Sequence, residues 1–116
     1  MKRLVMALAA AALTGQSGLA FAQQDSRCEP IAERALDESN DVIKRVTPYV
    51  SPKEAAWRAG QACYLVKNAV DNLFLLKCDA DLISLMQQAL KIARDTLDST
   101  NQKLSTNGRC IAGGGY

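Results

Sequence analysis

Apolar and small residues recur at Cys28, Ile31, Ala32, Ala35, Leu36, Ser39, Val42, Ile43 and Val46, a three-then-four spacing that places them on one face of a helix. A first helix is therefore predicted from Cys28 to Val46, with Pro30 tolerated because the first turn has no intrahelical donor to lose. Glu29, Glu33, Asp37 and Glu38 occupy its first half and Lys44 and Arg45 its end, the order that complements a helix dipole. Thr47-Pro48-Tyr49-Val50-Ser51-Pro52 then breaks the chain, because each proline lacks a backbone donor and restricts the residue before it.

Ser51-Pro52-Lys53-Glu54 has the form of a capping box with proline at the first helical position, the strongest local start signal in the chain. It predicts a second helix from Pro52 to about Lys77. The first half of this helix is small-sided, with Ala55, Ala56, Ala59, Gly60, Ala62 and Cys63 leaving little bulk on two adjoining faces. Close approach by another segment is expected there, and it explains Gly60 better than flexibility does, since glycine costs about 1 kcal/mol relative to alanine inside a helix. Asp79 is the expected N-cap of a third helix carrying Leu82, Ile83, Leu85, Met86, Ala89, Leu90, Ile92, Ala93, Leu97, Thr100 and Leu104. One continuous helix from Pro52 to Leu104 is the arithmetical alternative, because neither proline nor glycine forces a turn at Lys77 to Asp81. Ser105-Thr106-Asn107-Gly108 closes the third helix, Arg109-Cys110-Ile111 reads as a short anchored tail, and residues 112–116 read as a flexible glycine-rich end.

Residues 1–22 follow a different pattern. Met1-Lys2-Arg3, an apolar run from Leu4 to Leu13 and Ala20-Phe21-Ala22 are the three zones of a secretory signal peptide, which places the start of the mature chain at Gln23 and one helical domain at 23–111. The compartment implied is periplasmic or extracellular and oxidising. Its four cysteines, Cys28, Cys63, Cys78 and Cys110, are then read as two disulfides. Three connectivities exist in principle. On a continuous second helix Cys63 and Cys78 stand about 22 Å apart at 1.5 Å per residue, too far to bond. In an up-down-up arrangement the start of helix one meets the turn between helices two and three, pairing Cys28 with Cys78. The tail folding back along the small-sided face then pairs Cys110 with Cys63. The fold class expected is all-α, a small antiparallel three-helix bundle stapled by two disulfides.

Charge narrows the choice of partners. Lys2 and Arg3 leave with the signal, so the fourteen Lys and Arg of the whole chain fall to twelve, equal to its twelve Asp and Glu. A neutral chain with interspersed signs has no basic stripe for nucleic acid or an anionic membrane surface. No later apolar run approaches the ~20 residues of a transmembrane helix.

The chain contains no histidine. That removes the commonest general base, the usual nucleophile triads and most zinc or copper sites. Cysteine spacing does not match a zinc ribbon or redox motif, no CxxCH haem site occurs, and Gly113-Gly114-Gly115 has neither strand before nor helix after it. No metal or cofactor is expected. Carboxylate pairs remain, Glu33 with Asp37 and Asp95 with Asp98, which is the residue type of a glycoside hydrolase but without an evident cleft. Among aromatic residues, Tyr49 with Val50 on the two-proline turn, and Trp57 just after it, are the candidate interface residues.

These features point to an exported, non-catalytic protein that binds another envelope or secreted protein, in the manner of an inhibitor or immunity factor. A periplasmic stress or chaperone-like protein is the alternative, and a small carboxylate-dependent hydrolase is third; a homodimer is compatible with all three. Export is expected to cleave after Ala22. The intact mass of the exported protein checks this: a chain beginning at Gln23 is expected, and one retaining Met1 to Leu19 contradicts the assignment of compartment.

Overall fold

The computed structural model describes residues 25–115, and residues 1–22, read above as a signal peptide, lie outside them. The described chain forms three helices, α1 (Cys28–Lys44), α2 (Pro52–Leu75) and α3 (Ala80–Leu104), followed by a 3-10 turn at Ala112–Gly115. The fold is all-α, as the periodicity predicted.

Each helix has an identifiable start. Before α1, the Asp25 carboxylate accepts hydrogen bonds from the Arg27 guanidinium at 2.7 and 3.0 Å and from the Arg27 backbone N–H at 2.8 Å. These bonds hold the Asp25 carboxyl at about 2. At α2, Ser51 is extended and its hydroxyl accepts from the Glu54 N–H at 3.1 Å, the hydroxyl half of the expected capping box. The Glu54 carboxylate is engaged one turn further on, by the Arg58 guanidinium at 3.1 Å. At α3, Asp79 caps as expected, its carboxylate accepting from the Asp81 N–H at 3.1 Å.

The break between α2 and α3 is made without glycine or proline. Lys77 takes the left-handed conformation at φ 54°, which turns its own N–H to Phe74 O and the Cys78 N–H to Leu73 O, both at 3.0 Å. That pair of bonds is the Schellman pattern. A left-handed backbone costs a residue with a β-carbon roughly 1–2 kcal/mol, so the turn persists because tertiary contacts and the disulfide at Cys78 hold it.

α2 lies in the middle. It packs along α1 on one side and α3 on the other, and it also receives the C-terminal tail, whereas α1 and α3 meet each other only marginally. The core joins Cys28, Ala32, Ala35 and Leu36 of α1, Val66, Ala69, Val70 and Leu73 of α2, and Leu82, Ile83, Met86, Leu90 and Leu97 of α3. Leu73, Met86 and Val66 are its largest fully enclosed side chains.

The disulfides are Cys28 to Cys78 and Cys63 to Cys110, with Cα separations of 5.9 and 5.1 Å. This is the pairing that the length of helix two implies. They span 50 and 47 residues of sequence. Closing loops of that size contributes about 4 kcal/mol each in the chain-entropy picture, less in combination because the two loops overlap. Two such bonds, with no helix among the described residues long and apolar enough to cross a membrane, are consistent with an oxidising, extracytoplasmic setting.

The tail reaches Cys63 through a clamp built on Asn101. Its side-chain amide donates to Gly108 O at 2.8 Å, while its side-chain oxygen accepts from the Gly108 N–H at 2.8 Å and the Thr106 hydroxyl at 2.9 Å. Gly108 is thereby pressed onto the small-sided part of α2, where a Cβ would fall 2.5 Å from the Ala56 carbonyl oxygen. Beyond Cys110, the Gly113 N–H donates to the Gln61 side chain at 2.9 Å and the chain forms its 3-10 turn, an anchor that the glycine run does not announce.

Gly108→Ala is expected to lower stability by roughly 2–3 kcal/mol, because the atom it meets is backbone and cannot rotate away. Urea unfolding of the oxidised protein checks this. A clear fall in midpoint with an unaltered slope is expected; an unchanged midpoint means that the tail does not press on α2 as described.

Candidate functional site

The helical periodicity assigns more residues to the core than the fold covers. Ser39 and Ile43 of α1 and Leu85, Ala89 and Ala93 of α3 are only partly buried, and Ile92 is 56% exposed. The reason is the weak meeting of α1 with α3. Their facing stripes both point towards the line between them and are not closed over each other.

Those uncovered residues converge on one groove. Leu36, Ser39, Asn40 and Ile43 form its α1 wall; Leu85, Gln88, Ala89, Ile92, Ala93 and Thr96 form its α3 wall; Ala59, Ala62 and Val66 of α2 form its floor. Its volume is about 200 Å³. No lining residue is charged. The Thr96 hydroxyl is already used, donating to Ile92 O at 2.9 Å. The small side chains that make the floor were legible in the sequence, but only as a place of close approach. They serve two purposes: Ala56 and Cys63 receive the tail, and Ala59 and Ala62 floor the groove.

The residues singled out for an interface lie elsewhere. Tyr49 is 96% exposed on the α1–α2 turn, whose backbone is fixed by the Val50 N–H donating to Thr47 O at 3.2 Å and the Tyr49 N–H to the Thr47 hydroxyl at 3.3 Å. Val50 beside it is partly buried. Trp57 is also partly buried, with the Arg58 guanidinium 5.5 Å from its ring centre and the tail passing its indole nitrogen at Gly113. The structure therefore presents Tyr49 to solvent and sets Trp57 against the tail.

The carboxylate pairs stand on helix surfaces. Asp95 and Asp98 are exposed, with Asp95 paired to Lys91 at 3.1 Å, and Glu33 and Asp37 are partly buried on α1. No polar or charged residue among the described ones is buried, so neither pair offers the desolvated acid that division into acid and nucleophile requires. Among the described residues there is also no group of three His, Cys, Asp or Glu placed to hold a metal ion.

Comparison with protein-family models, with curated proteins and with solved structures finds no match to this chain.

Proposed function

We propose that this chain is an exported, non-catalytic binding protein that acts on another envelope or secreted protein, in the role of an inhibitor or immunity factor. The observation that carries the reading is Tyr49, 96% exposed on a turn bounded by Pro48 and Pro52. An aromatic side chain on a backbone already fixed by proline loses little entropy when a partner covers it, which is what an interface anchor needs. Frame and anchor also fit each other, because the N-cap bond at Ser51 continues the turn directly into the central helix.

Further support comes from the lack of catalytic equipment: no histidine in the sequence and no buried acid among the described residues. A balanced charge on the mature chain suits recognition by shape and apolar contact over long-range steering.

Affinity capture from the envelope fraction with the oxidised protein, followed by mass spectrometry, identifies the partner. Tyr49→Ala is then expected to weaken that complex by about 2 kcal/mol, close to thirtyfold, with an unchanged circular dichroism spectrum. Unchanged affinity in a folded variant removes the turn as the binding surface.

A further inference from the structure

We propose that the Cys63–Cys110 bond is a thiol-exchange site: a small dithiol reduces it ahead of Cys28–Cys78, and the segment after Gly108 then leaves α2 while the three helices stay packed. The proposal does not rest on the protein-binding reading of the Tyr49 turn.

The two disulfides stand in different surroundings. Cys28 and Cys78 are 0 and 7% exposed, and both belong to the core cluster. Each is carried by an element that is itself anchored. Cys28 opens α1, whose Ala32, Ala35 and Leu36 are buried, and the Cys78 N–H is bonded to Leu73 O in the turn that ends α2. Reaching either sulfur means lifting α1 from α2. At the other bond Cys63 is fully buried, but Cys110 is only partly so, and its neighbours Arg109 and Ile111 are exposed. Beyond Cys110 the chain rests on α2 through Gly113, whose N–H donates to the Gln61 side chain at 2.9 Å. None of residues 109–113 is buried, so apolar burial adds little to the hold of the disulfide itself. The bonds span 50 and 47 residues, so loop entropy does not rank them and packing does. A bond whose one partner sits on a locally weak segment is the one a thiol reaches first.

The same packing sets where release stops. The Asn101 clamp joins Asn101 to Thr106 and Gly108, close by in sequence, and needs no disulfide to form. The freed segment therefore begins at Arg109. Burial also fixes the direction of exchange. A thiolate of the dithiol attacks Cys110 Sγ, the bond to Cys63 breaks, and the electron pair leaves on Cys63 Sγ, which takes up a proton. The second thiolate of the reagent then attacks the reagent sulfur held in the mixed disulfide. Cys110 leaves as a thiolate and is protonated, and the reagent departs as a disulfide: the dithiol is oxidised and the protein bond reduced by the same two electrons.

The test is timed reduction of the oxidised protein with dithiothreitol, quenched with N-ethylmaleimide in denaturant and read by peptide mapping. Label is expected on Cys63 and Cys110 at least about tenfold faster than on Cys28 and Cys78, through an intermediate whose far-UV circular dichroism is unchanged. With reduced glutathione in place of dithiothreitol, the mixed disulfide is expected on Cys110 and the free thiol on Cys63. Trp57, the one tryptophan of the chain, reports the tail, because Gly113 passes its indole nitrogen. Its emission should shift to the red in the intermediate, and trypsin should cut after Arg109 at least about tenfold faster than in the oxidised protein. Cys63→Ala combined with Cys110→Ala, which keeps the core bond, should show the same emission and cleavage without any reductant. Reduction of both bonds together, reduction of Cys28–Cys78 first, glutathione on Cys63, or emission and cleavage in the intermediate equal to those of the oxidised protein overturns the proposal.

Discussion

Small side chains on one helix set the terms for everything around it. Ala55, Ala56, Ala59, Gly60, Ala62 and Cys63 let the backbone of α2 be approached far more closely than a leucine-rich helix would allow, and the tail uses this at Gly108, which has no space for a β-carbon above Ala56 O. The cost is energetic. Burying alanine removes much less apolar surface from water than burying leucine, so this half of the molecule gains less from the hydrophobic effect. The two covalent bonds offset the shortfall, Cys28 to Cys78 where α1 begins and α2 has ended, and Cys63 to Cys110 where the tail meets the middle of α2.

The same small side chains account for the groove. In a closed three-helix bundle the stripes of all three helices would meet on one axis, whereas here α1 and α3 each find α2 and barely find each other. Ile43 and Ile92, core residues by their spacing, are left on the walls of a slot floored by alanine. An apolar stripe on paper thus becomes a lining when its third partner is missing.

What the sequence disclosed follows this division. Helix starts were legible because proline, serine and aspartate act locally, and the bonds at Ser51 and Asp79 form where those residues stand. The disulfide pairing was legible because helical rise is fixed: the stretch of α2 from Cys63 to Leu75 is by itself about 18 Å long, which keeps Cys63 away from Cys78 in the turn beyond it. Lys77 was not, since its left-handed conformation is a tertiary choice made against its own preference. Nor was Asn101, whose three bonds to Thr106 and Gly108 depend on where the tail returns. For the site, Tyr49 was legible as an exposed residue on a proline-bounded turn. The groove was not, because periodicity records which face is apolar and carries no information on whether a neighbour covers it.

If α2 is the shared packing element, its backbone should open last. Native-state hydrogen exchange on the oxidised protein tests this directly, because amides in Ala59–Leu73 are enclosed by α1, α3 and the tail together, while α1 and α3 each have one open side. The slowest amides are expected in that stretch, exchanging at the rate set by global unfolding, with those of Ser39–Lys44 and Ile92–Leu104 faster. Protection that is greatest in α1 or α3 would contradict the account.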